Sequence, residues 1–266
     1  MRAQRKILAA AFLISMSAAI VLSGSETFER VDVATIVDET AERLESFPEM
    51  SHWQASVLSK QFEMDKNWEP KKVTVVQKTV LMKNKILQEK IQSAVEIKGD
   101  KRKDVTQKYI NESYKEMQKA AKERRKSKDK NGEDDRRKHM DFSFDELFPF
   151  SEKNRVNYDF AMLKEKELEG TSVYVVEARA KQRTKDFFEG IFYIDKETSD
   201  IRRAELQLAK NPGPLKVMNM NLDLKVLPEG YLAVRKASVR IHVGLVVKNI
   251  RREVVDEYSD YKILEQ

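Results

Sequence analysis

The 266-residue chain contains no cysteine. Disulfides, thiol nucleophiles, cysteine zinc sites, iron–sulfur clusters and lipid attachment at an N-terminal cysteine are all excluded with it. Histidine is almost as scarce: only His52, His139 and His242 occur, and none is spaced i, i+4 from another as helical metal ligands would be. Eight glycines and six prolines rule out collagen-like and Pro/Gly-rich low-complexity chains. Neither G-x-S-x-G, a P-loop nor H-E-x-x-H is present. No carboxylate pair is singled out by spacing. The sequence therefore predicts no catalytic residues, no metal and no cofactor, and the chain does not read as an enzyme.

One long apolar run exists. Ile7 to Leu22 carries no charge, follows Arg2, Arg5 and Lys6, and precedes Ser23-Gly24-Ser25. A basic start, an apolar stretch and small residues at the end are the pattern of a signal peptide over residues 1–25, which predicts export to the periplasm. The alternative is an uncleaved inner-membrane anchor, although 16 residues are short for a span of about 20. Without this segment 47 Lys and Arg face 44 Asp and Glu, so the net charge falls from +6 to +3. That balance predicts no nucleic-acid partner.

Residues 26–266 read as a single β domain. Asp32 or Thr35 is placed to cap a helix with Ile36, Val37, Thr40, Ala41 and Leu44 on one face, stopped by Pro48. A period of two follows. Leu58, Phe62 and Met64 share one face of a first strand, and Val73 to Met82 forms the clearest strand of the first half. Leu87, Ile91, Val95 and Ile97 fit a strand closed by Gly99, with Asn84-Lys85 as the preceding turn.

Residues 98–140 differ from the rest. They hold 16 Lys and Arg against 9 Asp and Glu, and read as a basic insertion. Ile110, Tyr114, Met117 and Ala121 recur at helical spacing, and Lys126 to Lys138 is wholly polar. Lys101, Arg102 and Lys103, together with Arg124, Arg125 and Lys126, lie on or beside that amphipathic helix. They are candidates for contact with an anionic membrane surface; a solvated spacer is the alternative. Phe144, Leu147, Phe148 and Phe150 belong to a short aromatic segment with a capping-box pattern. It is predicted either to cover the sheet as a lid or to plug an ordinary core.

The second half alternates almost throughout, with turns at Gly170, Asp195 to Ser199, Asn211 to Pro214 and Pro228 to Gly230. Short turns between alternating strands predict an antiparallel meander covered on one side. The fold class is mainly β with a few helices: an antiparallel, strongly curved sheet, an incomplete β-barrel, covered by helices on its concave face. A hydrophobic-ligand cavity on that face would be lined by Tyr158, Phe160, Phe188, Phe192, Leu206, Met218, Met220, Leu222 and Ile241.

Two motifs carry a resemblance. Phe192-Tyr-Ile-Asp195-Lys-Glu-Thr198 and the closing Tyr258-Ser-Asp260-Tyr261 lie in a segment, residues 173–261, that resembles the outer-membrane lipoprotein-sorting superfamily (LolA, LolB and RseB). The resemblance implies a half-barrel whose cavity takes a lipid or a lipoprotein acyl chain. It also implies an alternative, an envelope-stress regulator that uses the same fold to bind a protein partner. The basic insertion departs from the carrier pattern, and the carrier's cavity arginine has no counterpart here.

Overall fold

The computed structural model describes residues 32–83, 86–115, 118, 148–245 and 249–264. The apolar N-terminal run, Phe144, Leu147, and Arg124 to Lys126 lie outside the described residues. No described helix is long and apolar enough to cross a membrane.

Helix α1 (Val33–Ser46) starts where Asp32 caps it, the carboxylate accepting from the Ala34 N–H at 3.3 Å. Its buried residues are Ile36, Val37, Thr40 and Ala41, the face that the 3–4 spacing predicts. Thr40 is fully buried, and its hydroxyl is satisfied by donating to the Ile36 carbonyl at 2.7 Å. Strands β1 (Trp53–Met64), β2 (Pro70–Lys83), β3 (Ile86–Lys98) and β4 (Lys101–Asp104) follow as a meander. Among the described residues, helix α2 takes in residues 106–115. After the short α3 (Glu152–Arg155) come β5 (Tyr158–Leu168), β6 (Thr171–Ala180), β7 (Phe188–Asp195) and β8 (Ile201–Leu208). Strands β9 (Leu215–Val226), β10 (Leu232–Gly244) and β11 (Asn249–Ile263) complete the chain.

The eleven strands among the described residues form one antiparallel sheet, ordered β4-β3-β2-β1-β11-β10-β9-β8-β7-β6-β5. The sheet is not closed, since β4 and β5 are its two edges. The two meanders meet where the first strand pairs with the last, Val57 opposite Tyr258 and Gln61 opposite Val254. The expected fold class is the observed one. α1 packs on the inner face of β5–β10, where Ile36, Val37 and Ala41 join Tyr174, Val176, Phe192, Leu206, Leu222 and Leu224 in the main core. Full burial of such side chains contributes about 1.5–3 kcal/mol each. Arg43 fixes the helix to the sheet end, its Nε donating to Asp200 Oδ1 at 2.7 Å.

The turn chemistry explains both motifs. The buried Asp195 accepts from the backbone N–H groups of Glu197 (2.9 Å) and Thr198 (3.2 Å), which closes the β7–β8 turn. Asp260 sits at φ +51°, beside Tyr261, whose hydroxyl donates to the Val234 carbonyl at 2.7 Å. Glu169 and Gly170 both have positive φ, as a two-residue hairpin between Leu168 and Thr171 requires.

The structure refines the reading of the first half and corrects two of its expectations. Lys101, Arg102 and Lys103 lie beside the helix, not on it: they form edge strand β4, paired to Ile97 and its neighbours, before α2 begins. Ile110 and Tyr114 do not pack on the sheet. They are 38% and 60% exposed, while Val105 and Tyr109 pack against Val76, Ala94 and Ile91 instead. On β1 the buried side is Ala55, Val57 and Ser59, not that of Leu58, Phe62 and Met64. The apolar count misled there because small and polar residues face the covered side. Finally, Phe148 is not helical, and α3 follows it unforeseen.

Candidate functional site

The nine residues expected to line a cavity lie on the strands that α1 covers. Tyr158, Phe188, Phe192, Leu206, Met220 and Leu222 are buried within the main core. Phe160 and Met218 are half-buried against it, and Ile241 is half-buried opposite Met218. Phe148 and Phe150 are buried over the β5–β7 end of the inner face, with exposures of 2% and 0%. Their rings meet Phe192 edge-on, with centroids at 5.7 and 4.9 Å. At this end the aromatic segment is packed as a plug. Desolvation there pushes the Tyr158 phenol up to about 12.

Away from the plug the inner face changes character. One row of paired residues runs across the sheet: Leu206, Met220, Val239, Val254, Gln61, Thr74 and Glu96. It is apolar as far as Val254 and polar beyond it. The parallel row passes from Leu222 and Ala237 to Asp256, Ser59, Val76 and Ala94. Lys78, whose side chain is only 11% exposed, donates to Glu89 at 2.6 Å. Tyr258 stands beside this polar patch, and burial of its ring, with Asp256 and Glu89 nearby, raises its phenol pKa.

Between α2 and this polar half lies a cleft of about 480 Å³. Gln61, Thr74, Ile91 and Val254 form its floor; Lys108, Tyr109, Glu112 and Ser113 of α2 form its roof. Tyr109 ties roof to floor, its hydroxyl donating to Gln61 Oε1 at 3.0 Å. Lys72 bridges Glu63 at 2.6 Å and Glu96 at 3.4 Å at the rim, and these carboxylates hold its ammonium pKa above the usual lysine value. A smaller hollow of about 120 Å³ lies on the outer face, around Glu169, Arg203, Asp223 and Arg235. Its charges are mutually paired, Arg203 to Asp223 at 2.5 Å and Arg235 to Glu169 at 2.9 Å.

The polar half was missed by sequence reasoning. Its residues come from β1, β2, β3 and β11, which only the pairing of first and last strands brings together. The available signal was the set of polar residues, Ser59, Gln61, Thr74 and Lys78, standing where an apolar alternation would continue. Among the described residues no three His, Asp or Glu side chains come together as a metal site.

A family model described as an uncharacterized protein matches residues 117–240. No curated protein matches the sequence significantly. Among solved structures, a LolA superfamily protein from Nitrosomonas europaea is 13% identical with a TM-score of 0.36, over 88% of this chain and 94% of that one. A putative outer membrane lipoprotein-sorting protein domain from Vibrio parahaemolyticus is 13% identical with a TM-score of 0.39, over 88% and 96%. The MucA/MucB complex of Pseudomonas aeruginosa gives 8% identity and a TM-score of 0.25, over 88% and 100%.

Proposed function

We propose that this chain is an exported, periplasmic binding protein that takes a hydrophobic or amphipathic molecule, a lipid or a lipoprotein acyl chain, against the inner face of its open sheet. The observation that carries the reading is the junction on that face. Half-buried Met218, Val239 and Ile241 run on to Val254, which floors a cleft of about 480 Å³. Small-ligand sites measure about 300–1,000 Å³ and combine apolar walls with a few polar groups. Here Met218, Val239, Ile241 and Val254 would take the chain, and Gln61, Thr74 and Tyr109 the polar end. The mechanism is passive: apolar surface replaces water around the ligand at about 25 cal/mol per Å².

A second reading is favoured by a specific observation. Phe148 and Phe150 fill the inner face over β5 to β7. A face filled there suits a domain that binds an envelope protein through its surface, as a stress regulator would.

Native mass spectrometry of the protein purified from the periplasm, with uptake of a fluorescent fatty acid, decides between them. The carrier reading expects bound lipid or probe uptake, lost on Ile241→Glu or Met218→Glu with the fold intact by circular dichroism. No lipid, no probe uptake, and a captured envelope protein would establish the second.

A further inference from the structure

Helix α2 is turned the wrong way for a core helix. Its sheet-facing side carries Lys108, Tyr109, Glu112 and Ser113, which roof the cleft. At 100° per residue the opposite side carries Gln107, Ile110, Asn111 and Tyr114. Ile110 and Tyr114, one turn apart, are 38% and 60% exposed, the best-spaced apolar pair of the helix facing outward. Gln107 and Asn111 beside them are satisfied by each other, Nε2 to Oδ1 at 3.0 Å.

Among the described residues, the outward side of α2 carries no carboxylate. Glu112 points to the cleft side and is paired with Lys108. Asp104, before the helix, is turned onto the Thr106 N–H at 2.8 Å as a cap. The exposed basic residues of α2 and of the edge strand that leads into it are Lys108, Lys115, Lys101, Arg102 and Lys103, against the exposed acids Asp100, Asp104 and Glu112. The basic character is local, since six Lys and Arg face three Asp and Glu over residues 98–115, a net of +3 against +6 for the whole chain.

We infer that α2 and β4 form a docking surface for an anionic lipid bilayer, with Ile110 and Tyr114 entering the interface and Lys101, Arg102, Lys103 and Lys115 over the headgroups. An apolar stripe flanked by lysines is what an interfacial helix presents, and tyrosine places a ring in the acyl boundary and a hydroxyl in the headgroups. A chain almost balanced elsewhere and basic here is oriented by an anionic surface with this edge foremost. A protein groove lined with carboxylates would meet the same lysines. It would have no need of the apolar pair at the centre of a helix side without acidic or basic residues.

The inference is independent of what the cleft holds. Its test is co-sedimentation of the full mature chain with vesicles of phosphatidylcholine, with and without phosphatidylglycerol, at low and physiological salt. Wild-type protein is expected to bind the anionic vesicles only, and less as salt shortens the screening length to about 8 Å. Replacing Lys101, Arg102 and Lys103 by Gln should weaken binding several-fold per charge removed. Ile110→Glu with Tyr114→Glu should abolish it without moving the melting temperature, because both side chains are exposed. Tyr114→Trp should bind as wild type and show a blue-shifted emission on anionic vesicles. Equal binding to both vesicle types, no binding to either, or a Glu double variant that still binds would overturn the inference.

Discussion

Ser59 and Asp256 stand directly opposite each other where β1 meets β11, and each keeps a buried polar atom, Ser59 Oγ and Asp256 Oδ1, without a hydrogen-bond partner. The pair lies at the seam between the two meanders, one step along the face from Gln61 and Val254 of the cleft floor. An unpaired buried hydroxyl costs about 1–3 kcal/mol. Ser59→Ala removes it with little change in volume. The variant is expected to be as stable as wild type or more so by about 1 kcal/mol in urea unfolding. A clear loss of stability would show that the hydroxyl holds a partner.

Phe148→Ala is expected to cost about 3–5 kcal/mol, the range for a large aromatic removed from a filled core. The ring is 2% exposed and meets Phe192 edge-on. A segment acting as a loose cover would lose much less. Thermal denaturation, at about 2–4 °C per kcal/mol for a domain of this size, separates the two.

The second meander was the legible part of the fold. Phe188 to Leu208 and Met218 to Val243 alternate strictly, and their turns carry Asp195, Gly170 and Gly230, so strand, face and turn follow from local chemistry. The helix face of Ile36, Val37, Thr40 and Ala41 was equally local. The long-range seam was not. Nothing in residues 53–64 names residues 252–263 as their partners, and the polar patch at Ser59, Lys78 and Asp256 exists only through that pairing. The stripe of Ile110 and Tyr114 was legible as a stripe. Its direction was not, because periodicity gives a helix two sides without saying which one meets the protein.

Alkaline pH should meet buried tyrosines that titrate late. Burial raises the phenol pKa of Tyr158 to about 12, and of Tyr258 and Tyr261 upward as well. An unfolded tyrosine titrates near about 10. The folded state therefore holds protons that the unfolded state releases between these values. Stability from these groups is fully present below about pH 10 and is lost as pH rises towards about 12. Tyrosinate absorbance should show late-titrating phenols that appear together with unfolding. Tyr158→Phe should move that transition to higher pH. Three phenols titrating at the ordinary value in folded protein would contradict the packing.

Gly190 has the tightest backbone approach recorded for a glycine of this sheet. A Cβ built there would lie 1.9 Å from the Glu205 carbonyl oxygen on the neighbouring strand, where Gly190 pairs with Leu206. The obstacle is backbone, so no rotamer change relieves it. The two strands must separate, and with them the Phe192 and Leu206 contacts beneath the aromatic plug. Overpacking of this kind costs about 1–3 kcal/mol and sometimes more. Gly190→Ala is therefore expected at or above the upper end of that range, lowering the melting temperature by about 6 °C or more. Gly99→Asn is the matched control. Gly99 has φ +56° with open space around it, and asparagine tolerates that backbone. It should melt within about 2 °C of wild type, since surface changes away from packed features stay within about 0.5 kcal/mol. Equal melting temperatures for the two variants would mean that β7 and β8 are not in the close register described, and the core beneath Phe148 and Phe150 would lose its frame.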